Sequence, residues 1–276
     1  MQEQDIKLKS SDGLNLCGSI WFSDDQAIGT ILIIHGLGEH HRRYSNLANK
    51  FNKKGFNVVA YDQRGHGISD GKKGHSPTQD HLLDDLKLFI DYANNQFKLP
   101  LLTYGHSFGG NVLCTYLLKR KPNDINGAII SSAWLRLAFE PPYFKVLLGK
   151  MMNFILPSFT QNNELNSEGL TYDEQINNSY LNDDLVHGDI SASLFLNAFQ
   201  SAKWCLDNAH QLKLKSLIIH GEDDPIVSPE GSKLFHQNAE YSDIKIWSKT
   251  KHEPHNDLKS NEVFLYIFNW IKKEIF

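Results

Sequence analysis

The stretch that most constrains this chain is Leu101–Gly110, LLTYGHSFGG. An apolar run, Leu99-Pro100-Leu101-Leu102-Thr103-Tyr104, reads as a buried strand, and Val112, Leu113, Tyr116 and Leu117 follow at helical spacing. Between them Gly105-His106-Ser107-Phe108-Gly109 fits G-x-S-x-G, which marks a nucleophile elbow when it joins a strand to a helix. Such a turn holds Ser107 in a strained conformation and lifts its hydroxyl clear of the sheet. Gly105 and Gly109 sit where a Cβ would collide with the neighbouring strand and helix. The helix that starts just after Ser107 turns its unpaired N–H groups and positive dipole end toward the hydroxyl. A glycine-rich turn that merely contains a serine would leave the same trace, so the rest of the chain has to decide.

Upstream, Ile6-Lys7-Leu8 and Leu14-Asn15-Leu16 flank Ser11-Asp12-Gly13 as an antiparallel hairpin. Thr30–Ile34 and Phe56–Tyr61 are continuous apolar runs, expected of strands buried on both faces. Helices are expected over Tyr44–Lys54, Thr78–Asn95, Pro229–Ala239 and Asn261–Phe276, and strands over Gly127–Ser131, Lys215–His220 and Asp243–Trp247. This alternation specifies an α/β fold with a mostly parallel central sheet flanked by helices and chemistry at the strands' carboxyl ends. The rhythm breaks at 135–199, where an apolar segment containing Pro141, Phe144, Met152 and Phe154 precedes an Asn-rich one. We read 135–199 as a helical cap, or lid, inserted into a core made of 1–134 and 200–276. Leu147-Leu148 and Met151-Met152 would share one helical face.

A length of 276 residues suits one large α/β domain carrying such an insertion. A net charge of −4 with no block of Lys or Arg excludes nucleic acid as an expected partner. The N-terminal MQEQDIKLKSSDG has no signal-peptide character, and no apolar run approaches the roughly 18 residues of a membrane span. Three scattered cysteines without C-x-x-C complete the expectation of a soluble, cytoplasmic protein with buried, inert thiols. His35, His66, His106 and His220 stand beside motif glycines and are expected to hydrogen-bond loop backbone at strand ends. With no H-x-x-x-H or H-E-x-x-H, no metal is expected.

A serine hydroxyl needs a base, and the base needs an orienting carboxylate. In this fold they follow in the order Ser, Asp or Glu, His. The acid should come from Gly221-Glu222-Asp223-Asp224-Pro225 and the base from Lys249-Thr250-Lys251-His252-Glu253, each just after a strand. Spacing favours Asp224 over its neighbour Asp223, and His255 is the rival to His252. One oxyanion donor is the N–H after the nucleophile, that of Phe108, and the other comes from the loop His35-Gly36-Leu37-Gly38. Arg64, within Asp62–Gly67, is expected to bond loop carbonyls rather than substrate.

Taken in order, HGLGEHHRRY at 35–44, YDQRGHGISDG at 61–71, GHSFGG at 105–110, YLNDDLVHGDIS at 180–191, HGEDDPIV at 220–227 and KHEPHNDL at 251–258 resemble the monoacylglycerol lipase and lysophospholipase branch of the α/β-hydrolase family. The resemblance implies an α/β-hydrolase fold with a cap, Asp224 as acid, His252 as base and Leu37 as the second oxyanion donor. It implies no cofactor and a small-molecule lipid ester as substrate, most simply a monoacylglycerol. Lysophospholipase and general carboxylesterase are the alternatives. A non-catalytic ligand-binding protein on the same scaffold is a remoter one, because such proteins usually lack a triad member. The apolar half of the cap would line an acyl-chain tunnel. It lacks a basic amphipathic face, which leaves only transient membrane or micelle contact open.

Overall fold

The computed structural model describes residues 2–139, 149, 151–163 and 165–276. Pro141, Phe144 and the Leu147-Leu148 pair, assigned to the apolar face of the cap, lie outside the described residues.

The central sheet has eight strands: β1 (Glu3–Lys9), β2 (Asn15–Trp21), β3 (Gly29–Ile34), β4 (Phe56–Tyr61), β5 (Leu101–His106), β6 (Gly127–Ser131), β9 (Ser216–Gly221) and β10 (Ser242–Trp247). Their spatial order is β1-β2-β4-β3-β5-β6-β9-β10. The hairpin β1–β2 forms one edge and pairs antiparallel with β4, and every later pairing is parallel. The continuous apolar strands are buried on both faces. Leu32 and Ile34 of β3 face a core shared with helices α2 (Gln79–Phe97), α3 (Ser107–Arg120), α5 (Ala192–Asn208) and α6 (Pro229–Asn238). Ile31 and Ile33 face the core on the opposite side, closed by α1 (Ser45–Asn52) and α7 (Ser260–Glu274). The chain therefore folds as an α/β-hydrolase. The side-chain hydroxyls of Thr78, Ser191 and Ser228 cap α2, α5 and α6 by accepting first-turn N–H bonds.

Two local expectations are corrected. The strand before the elbow is not 99–104 but β5, which starts after Pro100 and runs straight into His106. Pro100 has no N–H to give a ladder, and only its carbonyl is used, by Thr30 N–H at 2.9 Å. The segment 135–199 is also not purely helical. Besides α4 (Glu174–Leu181), it contains an antiparallel pair, β7 (Thr160–Asn162) with β8 (Asp189–Ser191). Helix α5 begins directly after β8 and continues past the expected junction at 199. It packs on α3, where the Asn111 side chain donates to Ala198 O and accepts from Ser201 Oγ.

Among the described residues no helix is long and apolar enough to cross a membrane. Cys114 and Cys205 are buried as expected, whereas Cys17, on β2, is only half-buried.

Candidate active site

Ser107 is the first residue of α3 and has φ +53°, a left-handed conformation that disfavours any residue with a Cβ. The turn is that tight because β5 ends at His106 with no intervening loop. A Cβ on Gly105 would lie 2.8 Å from Gly109 O, and one on Gly109 would lie 2.3 Å from Ile34 O. Both glycines are thus demanded by close backbone approach, the second against the end of β3.

The Ser107 hydroxyl donates to His252 Nε2 at 2.9 Å, and His252 Nδ1 donates to Asp224 Oδ2 at 2.7 Å. A carboxylate only accepts, so Nδ1 carries the histidine proton and Nε2 is left free to receive one. All three side chains are buried. Burial opposes a charge on His252, but the Asp224 carboxylate overrides it and lifts the imidazole above its ordinary value of 6.5. Burial likewise acts to raise the Asp224 carboxyl, and His252 and His220 outweigh it, holding Asp224 well below the usual carboxylate range. Asp224 is itself held by four donors. His252 and His220 converge on Oδ2, and the Ile226 and Val227 N–H groups bind Oδ1 at 2.8 and 3.0 Å.

The competing residues lie elsewhere. Asp223 is exposed and accepts from Tyr172 Oη at 2.9 Å. His255 stacks on Tyr44 with ring centroids 4.9 Å apart, and neither of its ring nitrogens has a partner among the described residues. Burial pushes it down to about 4, so its ring is neutral. His35 and His66 hold backbone as expected: His35 Nδ1 donates to Gly36 O, its Nε2 accepts from Gln63 N–H, and His66 Nδ1 donates to Arg64 O. His106 does not; its nearest partner is Ser131 Oγ at 3.4 Å, and its ring lies against those of His252 and His255. His220 meets the expectation through Val227 O and adds side-chain partners. Its Nε2 donates to both Asp224 and Val227 O, and its Nδ1 accepts from Ser232 Oγ. Arg64 bonds the carboxylates of Asp85 and Asp12, not loop carbonyls, because those acids neutralise a guanidinium that is almost wholly buried. Among the described residues, no group of three or more His, Cys, Asp or Glu is arranged to hold a metal ion.

The loop after β3 is fixed on both sides of Leu37. Gly36 N–H donates to Glu39 Oε1, and Gly38 O accepts from the His187 N–H of the cap at 2.9 Å. The Phe108 N–H lies in the first turn of α3, where helix geometry leaves it without an intrahelical acceptor. A buried ionic chain missed by sequence reasoning backs this loop. Arg43 bridges Glu39 and Glu253, binding the latter at 2.8 and 3.0 Å, and its guanidinium lies 4.7 Å from the Tyr180 ring of the cap. The residue types were visible in HGLGEHHRRY and KHEPHNDL, but no local pattern joins them.

Ser107 and His252 open into a cavity of about 1040 Å³ that residues of the segment 135–199 also line. Its lining combines apolar side chains, Leu137, Phe139, Met152, Phe159, Phe195 and Ile226 among them, with polar ones that include Glu39, Arg43, Tyr180 and Glu253.

A family model described as serine aminopeptidase, S33, matches residues 25–259. The chain is 34% identical over 271 residues to an uncharacterised abhydrolase domain-containing protein of Dictyostelium discoideum, a match that takes in 97% of this chain but only 29% of that longer protein. It is 26% identical over 263 residues to a monoacylglycerol lipase of Mycolicibacterium smegmatis, covering 94% of this chain and 93% of that one. Among solved structures, a monoacylglycerol lipase of Paleococcus ferrophilus superposes with a TM-score of 0.84 at 27% identity, covering 99% of this chain and 100% of that one. With its sheet order, its elbow and a match running over most of its length, the chain belongs to the serine aminopeptidase S33 family of α/β-hydrolases.

Proposed function

We propose that the protein is a monoacylglycerol lipase acting through Ser107, His252 and Asp224. The chain is a carboxylic ester hydrolase of the α/β-hydrolase family. One observation carries the finer reading: the hydrogen-bonded series Ser107–His252–Asp224 opens into a cavity whose lining combines apolar and polar side chains. Ser107 Oγ attacks the ester carbonyl while His252 Nε2 takes its proton, and Asp224 stabilises the resulting imidazolium. The oxyanion is received by the Leu37 and Phe108 N–H groups. His252 then protonates the leaving alcohol, and the same nitrogen activates water to release the acid.

An acyl chain fits the apolar lining. A neutral alcohol fits the polar side chains of the lining better than a phosphate does. Among the described residues, Glu39, Glu253, Glu168 and Asp223 line the cavity against Arg43 and Lys251, and Arg43 is already bracketed by two carboxylates. That balance disfavours the lysophospholipase alternative. Residues 135–199 act as the cap in this reading. Its outer surface carries Met151, Phe154, Ile155 and Leu156, with Phe154 91% exposed, which suits transient contact with a lipid aggregate. Free cysteines agree with a cytoplasmic setting.

The test is intact-mass analysis after a fluorophosphonate probe, on wild type and Ser107→Ala, beside a panel of monoacylglycerols and p-nitrophenyl esters. One adduct that disappears in the variant, with rates rising toward medium or long acyl chains, is expected. Labelling with activity on acetate and butyrate esters alone would remove the lipid substrate, and an adduct retained by Ser107→Ala would remove the nucleophile.

A further inference from the structure

We infer that Asn163, a residue of the cap, binds the alcohol portion of the ester through its side-chain N–H groups; this deepens the proposed lipase reading and rests on it. Asn163 follows β7 and lines the same cavity as Ser107. Its backbone N–H donates to Gly188 O at 2.7 Å, and its Oδ1 accepts from Leu165 N–H at 2.9 Å. The amide is therefore locked, with its oxygen turned to the chain and its nitrogen left over. That nitrogen, Nδ2, is buried and has no hydrogen-bond partner among the described residues. Buried donors are almost always paired, and one held in a single orientation beside a cavity is preorganised for an incoming acceptor.

Its location says which acceptor. A Cβ on Gly38 would come within 4.0 Å of Asn163 Nδ2, and a Cβ on Gly36 would come within 3.3 Å of Ser107 Cβ. The amide and the nucleophile thus flank the same short loop, Gly36–Gly38. A hydrocarbon chain offers an N–H nothing, and the ester carbonyl oxygen is already assigned to the Leu37 and Phe108 N–H groups. The remaining acceptors are the oxygens of the alcohol. Gln161, Asn166 and Glu168, which line the cavity in the same stretch of cap, make that wall polar.

Asn163→Asp keeps an oxygen for Leu165 N–H and replaces the N–H groups by a second, charged carboxylate oxygen. Asn163→Ala removes the oxygen and the N–H groups together. Each is compared with wild type on the glyceryl and methyl esters of one medium-chain acid, with thermal unfolding as a check on folding. Both variants are expected to lose about tenfold or more in kcat/KM on the glyceryl ester. The methyl ester, which has no hydroxyl to read, should change by less than about twofold. Parallel losses on both esters, or no loss on either, would overturn the role of Asn163 while leaving the lipase reading intact, since a structural asparagine or one satisfied by water behaves that way. A wild type that cleaves the methyl but not the glyceryl ester would overturn both readings together.

Discussion

Replacing Asp224 by Asn changes one atom in size and charge, yet the surroundings leave the amide no acceptable orientation. Four groups point at this side chain, His252 Nδ1, His220 Nε2, Ile226 N and Val227 N, and each of them donates. An amide has an acceptor on one side only. If its oxygen faces the histidines, its NH₂ meets two backbone N–H groups, which leaves two buried donors unmet at about 1–3 kcal/mol each. If its NH₂ faces the histidines, His252 must give up the proton on Nδ1 to accept there. Its Nε2 then carries hydrogen and can no longer take the Ser107 proton. The second arrangement keeps the fold at the expense of the base, so kcat is expected to fall about 10⁴-fold. Steady-state hydrolysis of a p-nitrophenyl ester, measured beside thermal unfolding of the same preparations, separates the two effects. A variant that keeps more than a tenth of wild-type kcat would refute the role of Asp224 and the tautomer assigned to His252.

Activity should be lost toward acid, because only neutral His252 can accept the serine proton; with its pKa raised, kcat/KM should begin to fall as pH drops through a point above 6.5, which a pH–rate profile will locate. The same shifts predict stability: the Asp224 carboxylate, depressed in the folded state, contributes fully above its ordinary 3.8 and is lost as pH falls below that, as acid unfolding curves will record. Arg43→Met strands Glu39 and Glu253 as unpaired buried carboxylates and should destabilise the protein by about 3–5 kcal/mol in denaturant titrations. Phe154→Asp should weaken binding to phosphatidylcholine vesicles while hydrolysis of a monomeric soluble ester stays unchanged, since this exposed side chain is absent from the cavity lining.

The parts of this molecule that sequence makes legible are those set by short-range chemistry. Ile31–Ile34 and Val58–Tyr61 had to be strands buried on both sides, because each stretch is apolar at every position and too short to span as a helix. The elbow was readable because two glycines and a serine at fixed spacing admit few backbone solutions. Asp223 and Asp224 are another matter, since they are adjacent and chemically alike. They part only in space, where one turns out to Tyr172 and the other inward to two histidines. The Arg43–Glu253 bond joins residues 210 apart in sequence, so no periodicity could announce it. The β7–β8 pair was hidden for a related reason. Its strands are three residues long and rich in polar side chains, and they are specified by backbone pairing across the cap rather than by pattern.

The bond from His187 N–H to Gly38 O has one more consequence. It ties the segment 135–199 to the loop Gly36–Gly38, so under the proposed mechanism breaking it would also free the loop expected to present the Leu37 N–H. Hydrogen exchange at this one amide is then a reporter of readiness. The fraction of time it is protected is the fraction in which the loop is braced. Binding of a ligand beneath the cap should slow its exchange before any product is formed.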